Sequence, residues 1–178
     1  MNIFLVGPMG AGKSTIGLLL SKELNSPFFD IDKVIEERAG ANIPWIFDIE
    51  GESGFRLREE QIIEEYTQLS SVVVATGGGA VLSQANREKL SQRGLVVYLK
   101  TTVEQQLERT SKDKNRPLLQ AKSPRDVLTK LMAQREPLYR EISDLTIQTD
   151  RRHPRMVVSE IIKILRKKKI QLTNNLTT

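Results

Sequence analysis

Short apolar runs, most of them without polar alternation, punctuate the chain at Ile3–Val6, Phe28–Phe29, Val72–Ala75, Val96–Leu99 and Leu145–Ile147. They are rich in β-branched or aromatic residues and most end at a glycine or a polar residue, as strands do. Between them, apolar positions recur at helical spacing over Ser14–Leu24, Lys33–Ala39, Gly54–Leu69, Gln84–Arg93, Val103–Thr110, Pro124–Arg140 and Arg155–Lys168. The last segment carries Val157, Val158, Ile161, Ile162 and Leu165 as one stripe. Strands without polar alternation are covered on both faces, which requires a parallel sheet flanked by helices. The pattern predicts an α/β chain: a three-layer α/β/α sandwich on a five-stranded parallel sheet with right-handed crossovers.

No internal repeat and no long linker divides residues 1–178, so a single domain is expected. The polar stretch Ser111-Lys112-Asp113-Lys114-Asn115, bounded by Arg116-Pro117, reads as a mobile lid over about 111–123. The basic, polar end, 166–178, is expected to fray.

Composition narrows the function classes. The absence of cysteine excludes disulfides, thiol catalysis and thiolate metal sites. No apolar run approaches the roughly 18 residues of a membrane helix. The opening MNIFLVG is too short for a signal peptide and runs straight into a glycine loop, so a cytoplasmic protein with no membrane partner is expected. Of the net charge of +5, Arg166-Lys167-Lys168-Lys169 supplies four. Cations at the end of a helix suit its dipole, and no aromatic residues interleave with them for base stacking, so nucleic acid is not the expected partner.

The chemistry begins at Gly7-Pro8-Met9-Gly10-Ala11-Gly12-Lys13-Ser14, which fits G-x-x-x-x-G-K-[ST] between a strand and a helix. Glycines let backbone N–H groups close around phosphate, and the helix N-terminus adds its dipole. Gly10, Ala11, Gly12, Lys13, Ser14 and Thr15 are therefore candidate nucleotide contacts, with Lys13 on the β- and γ-phosphates and the Ser14 hydroxyl on Mg²⁺. This chain is expected to bind ATP or GTP.

The strand Val72–Ala75 ends in Thr76 and Gly77-Gly78-Gly79 rather than in a metal-holding aspartate, so the acid must come from elsewhere. Asp30 and Asp32 supply it. In an extended segment both would point to one side, one holding metal-bound water and the other accepting from a substrate hydroxyl. The alternative for Asp32 is a plain cap on a helix beginning at Lys33. Two arginines remain. Arg56 shares a helix face with Glu59, where an internal salt bridge is the plainer reading, and Arg135 precedes Glu136-Pro137. Taken with Asp32 and the triple glycine they describe a pocket for a small anionic polyol: guanidinium groups for a carboxylate, an aspartate for hydroxyls, and bare backbone for a ring.

With these residues in place the chain resembles shikimate kinase along essentially its whole length. The matching stretches are GPMGAGKST, Asp30-x-Asp32, Gly54-Phe55-Arg56-x-x-Glu59, Gly77-Gly78-Gly79, Arg116-Pro117-Leu118-Leu119 and Arg135-x-Pro137-x-Tyr139. The resemblance implies a P-loop nucleoside-monophosphate-kinase-like fold with strand order 2-3-1-4-5. It implies transfer of the γ-phosphate of ATP to the 3-hydroxyl of shikimate, in chorismate and aromatic amino-acid biosynthesis. Asp32, Arg56, Arg135 and the turn Gly77, Gly78 and Gly79 would bind shikimate, with the arginines on its carboxylate. Lys13, Asp32 and the lid residue Arg116 would carry catalysis, Arg109 and Arg152 would line the adenine site, and Ser14 with Asp30 would hold Mg²⁺. Pro44-Trp45-Ile46-Phe47 looks like part of the family's substrate-binding region, with aromatic core packing as the alternative. A monomer is expected, with ATP and shikimate as its small-molecule partners. The competing readings are a gluconate-type kinase on a related fold and a nucleotide-binding regulatory module without turnover.

Overall fold

A computed structural model describes residues 1–111 and 123–175, with side chains as far as residue 167. Its strands are β1 (Ile3–Val6), β2 (Phe28–Asp30), β3 (Val73–Ala75), β4 (Leu95–Lys100) and β5 (Leu145–Gln148). They form one sheet in the order β2-β3-β1-β4-β5, and every pairing is parallel. The helices are α1 (Lys13–Leu24), α2 (Ile31–Ala39), α3 (Ile43–Thr67), α4 (Gln84–Arg93), α5 (Val103–Thr110), α6 (Pro124–Ile142) and α7 (Pro154–Asn175).

Residue alternation along the strands divides the core into two layers. Phe4, Val6, Val74, Val96 and Tyr98 face one side, where Val34 and Ile35 of α2, Phe55, Ile62 and Ile63 of α3, Leu90 of α4 and Tyr139 of α6 cover them. Ile3, Leu5, Val73, Val97, Leu99 and Ile147 face the other, under Ile16 and Leu20 of α1 and Val157, Val158 and Ile161 of α7. Phe4 and Leu5 have no exposed surface on the central strand. Truncating either to alanine would cost about 3–5 kcal/mol in lost burial and cavity formation.

Several boundaries differ from the sequence pattern for identifiable reasons. Helix α2 starts at Ile31 because Asp30 caps it, its Oδ1 accepting from the Asp32 amide at 3.2 Å. Asp32 is thus not the cap, and it does not lie in an extended segment with Asp30. Helix α3 begins at Ile43, well before Gly54: Asn42 caps it through the Trp45 amide at 2.9 Å, and Pro44 sits in the first turn, where no N–H is missed. The chain kinks at Gly51, whose φ of 69° and ψ of 180° interrupt the helical geometry. A short 3₁₀ turn, Ala80–Leu82, follows the triple glycine. Helix α6 runs through Pro137 to Ile142, and α7 continues to Asn175, beyond Lys168 where the apolar pattern ends. No helix among the described residues is long and apolar enough to cross a membrane.

The strand order positions the site. Register pairs Leu5 with Ala75 and Ala75 with Asp30, so the carboxyl ends of β1, β3 and β2 lie side by side. Gly7, Thr76 and the aspartate that ends β2 therefore open onto one edge of the sheet, where α/β folds bind ligands.

Candidate active site

The loop between β1 and α1 wraps around the amino end of α1. Gly10 and Gly12 take φ angles of 76° and 90°, a conformation that costs a side-chain-bearing residue but not glycine. Gly12 stands at the N-cap with no side-chain cap bond, which leaves the first amides of α1 directed at the loop. Lys13 Nζ donates to the carbonyls of Gly7 at 2.7 Å and Pro8 at 2.9 Å, closing the loop around its own ammonium group.

Ser14 Oγ donates to Asp30 Oδ2, so the two expected metal ligands are brought together. A hydroxyl and a carboxylate are hard oxygen donors. Two such groups beside a phosphate loop fit Mg²⁺, which keeps most of its waters and takes phosphate oxygens as further ligands. Asp30 and Asp32 line one cavity of about 300 Å³ with Lys13, Ser14, Gly78 and Arg109. Thr76 lines it too, a residue the sequence did not mark.

The other arm is built by α3 and α6. Arg135, 5% exposed, lies on the inner face of α6 with Tyr139, whose hydroxyl donates to the Gly78 carbonyl at 2.5 Å and whose ring stacks on Tyr98 at 5.0 Å. Arg135 Nε is buried without a hydrogen-bond partner among the described residues. Burial lowers its pKa most; Tyr139 works against that, the like charge of Arg56 lowers it further, and Glu52 opposes. Arg56 does form the ion pair with Glu59, Nη1 to Oε2 at 2.7 Å, and a second with Glu52 at 3.0 Å. Burial works against the Arg56 charge, but these carboxylates more than offset it and hold the group above its ordinary value.

Glu59 is the residue sequence reasoning undervalued. It is buried, and burial pushes its carboxyl up to about 7 despite the opposing pull of Arg56. The signal was present: Phe55, Glu59, Ile62 and Ile63 share the buried stripe of α3.

The triple glycine has a different rationale from bare backbone alone. A Cβ built on Gly77 would stand 2.5 Å from Glu59 Oε1 and 2.8 Å from Asp32 Oδ1, and one on Gly79 would stand 2.2 Å from Arg56 Nη2. Side chains of the protein itself thus claim the space at Gly77 and Gly79. Gly78 packs on the phosphate loop, its Cβ position 3.4 Å from the Met9 amide nitrogen. The turn is where the two arms meet.

Arg109 and Arg152 come together at a second cavity of about 250 Å³, beside Ala11, Gly12 and Thr15. Arg109 donates to the Gly10 and Thr149 carbonyls, each at 2.8 Å, and Arg152 pairs with Glu160 at 2.6 Å. Thr149, which holds Arg109, carried no sequence signal. Arg116 lies outside the described residues. Of the Pro44–Phe47 stretch, Ile46 is core and Phe47 packs on Phe55 at 4.9 Å, whereas Trp45 is 52% exposed.

Residues 9–166 match the family model for shikimate kinase. A shikimate kinase of Haemophilus influenzae is 59% identical over 165 residues, which is 92% of either chain. The structure of shikimate kinase from Acinetobacter baumannii in complex with shikimate is similar at a TM-score of 0.93 and 50% identity, covering 94% of both chains. A gluconokinase from Sinorhizobium meliloti, covering 98% of this chain and 96% of its own, reaches 0.62 at 17% identity and shares the fold alone. Identity at this level over nine-tenths of the sequence, on a fold that matches at a TM-score of 0.93, decides the matter: the chain belongs to the shikimate kinase family.

Proposed function

We propose that this chain transfers the γ-phosphoryl group of ATP to the 3-hydroxyl of shikimate, giving 3-phosphoshikimate and ADP on the route to chorismate and the aromatic amino acids. The observation that carries the reading is the buried Arg135 guanidinium, its Nε without a partner among the described residues, one glycine turn away from a phosphate loop. A buried cation with an open donor is costly unless an anion completes it, and shikimate brings a carboxylate.

Phosphoryl transfer leaves the protein little covalent chemistry, so position and charge carry the rate. Lys13 exchanges the Gly7 and Pro8 carbonyls for the β- and γ-phosphates, helped by the open amides at the start of α1. Arg56 and Arg135 hold the acceptor's carboxylate, and Asp32 accepts from the hydroxyl and aims it in line. Arg109, Arg152 and Thr149 line the slot for the adenine. Mg²⁺ between Ser14 and Asp30 would neutralise charge on the β- and γ-phosphates. Arg116 serves as the lid arginine that meets the charge spreading over the transferring group. The enzyme works as a cytoplasmic monomer on ATP and shikimate, without nucleic acid or membrane.

A coupled ADP-release assay offering shikimate or gluconate tests this. Rapid ADP release with shikimate and background release with gluconate are expected. Preference for gluconate would transfer the reading to the other kinase, and no turnover with either would favour a regulatory nucleotide-binding module.

A further inference from the structure

Glu59 stands in the acceptor pocket yet has no part in the transfer set out above. Its side chain is 1% exposed. Oε2 takes the Arg56 donor at 2.7 Å, while Oε1 is buried and meets no donor among the described residues. An ionised carboxylate left with one bare oxygen in the interior is unfavourable. Oε1 and Asp32 Oδ1 both abut the Gly77 backbone, 2.5 Å and 2.8 Å from the position of its missing Cβ. The charged groups facing Glu59 are Arg56 on α3, Asp32 on α2 and Arg135 on α6, where Tyr139 adds a buried hydroxyl, and Glu52 on α3 pairs with Arg56 from the far side. With Glu59 ionised, Asp32 and Glu59 already balance Arg56 and Arg135, and Glu52 adds a negative charge at the exposed rim. An incoming carboxylate would then be one anion too many.

We propose that Glu59 is a positioning residue that takes up a proton when the acceptor's carboxylate engages Arg56 and Arg135, coupling acceptor binding to protonation of one buried side chain. This rests on the acceptor reading given above. The proton comes from solvent and settles on Oε1, and no bond to the acceptor forms or breaks. As a neutral acid Glu59 no longer competes for the Arg56 charge, while Oε2 still accepts from Nη1 and keeps the guanidinium in place. Burial has already brought the group to about 7 before any acceptor arrives, with Asp32 adding to the rise and Arg56 and Arg135 opposing it. A second anion on Arg56 raises it further. At pH 6 the carboxyl already holds most of its proton, so binding takes up little. At pH 8 it is mostly ionised, and binding takes up most of one proton, so affinity weakens by up to about 10-fold per pH unit above 7.

Calorimetric titration of the full chain with shikimate, in two buffers of different ionisation enthalpy at pH 6 and pH 8, counts these protons. Expected are near zero at pH 6 and more than about half a proton at pH 8, with affinity falling between them. In Glu59→Gln, which keeps the shape and an acceptor for Arg56, both the uptake and the pH dependence should vanish. Tight binding by the unmodified chain without uptake at pH 8, or the same uptake in the variant, overturns the proposal alone. No shikimate binding at either pH overturns the acceptor reading and the proposal with it.

Discussion

Arg56 and Gly79 share one space: a Cβ on Gly79 would lie 2.2 Å from Arg56 Nη2 and 2.5 Å from its Cζ. The guanidinium is pinned from the other side by Glu59 and Glu52, so it cannot move without breaking an ion pair. Gly79→Ala should therefore fold, because only the end of a side chain must shift, yet displace the group that meets the carboxylate. Shikimate affinity is expected to fall at least about 10-fold, the worth of one misplaced charged hydrogen bond, with ATP affinity within about 2-fold. Equal binding of shikimate by the variant would show that Arg56 does not grip the acceptor.

Asp30 carries two duties that substitution can separate. Its Oδ1 caps α2 and its Oδ2 takes the Ser14 hydroxyl. Asp30→Asn keeps a capping oxygen, so thermal stability should barely change, whereas Asp30→Ala should cost about 1 kcal/mol. Both should raise the Mg²⁺ concentration needed for half-maximal turnover. A metal requirement unchanged in both variants would leave Asp30 as a cap alone.

The buried Glu59 carboxyl gives the ligand-free fold a pH signature. Burial, against the pull of Arg56, raises its pKa from 4.5 to about 7. A raised value means that the folded state binds this proton more tightly than the unfolded chain. The group's contribution is thus fully present below about pH 4.5 and is lost as pH rises toward 7. Relative to the unmodified chain, Glu59→Gln should gain stability between pH 5 and pH 8 by up to about 3 kcal/mol. Denaturant unfolding at both pH values measures the difference, and a difference that does not change with pH would place the carboxyl at its ordinary value.

Arg116, outside the described residues, is expected to act on the transferring group rather than on the acceptor. Arg116→Ala should lower kcat on the order of 10³-fold, in the range for arginines that meet transition-state charge, with shikimate affinity nearly intact. A variant within a few-fold of the unmodified enzyme in kcat would remove the role.

Much of the fold was legible because the inner strands β1, β3 and β4, buried on both faces, leave uninterrupted apolar runs, while the edge strands β2 and β5 keep shorter ones. The phosphate loop was legible because its glycines and Lys13 have fixed spacing. The start of α3 was not legible: a helix was expected from Gly54, whereas Asn42 caps one that begins at Ile43, Pro44 fits its first turn, and Gly51 kinks it without ending it. The aspartates were read on a mistaken geometry, since Asp30 closes a strand and Asp32 opens a helix. Gly77 and Gly79 were read as room for a ligand, whereas Glu59, Asp32 and Arg56 crowd them, a relation between distant segments that no local pattern encodes.

The most direct test is a pair of equilibrium titrations on Arg135→Ala, one with shikimate and one with ATP. Loss of the buried guanidinium should weaken shikimate on the order of 100-fold, the usual cost of stranding one member of a buried charge pair, and leave ATP within about 3-fold. Equal loss for both ligands, or for neither, would contradict a pocket in which α6 holds the acid and the phosphate loop holds the nucleotide.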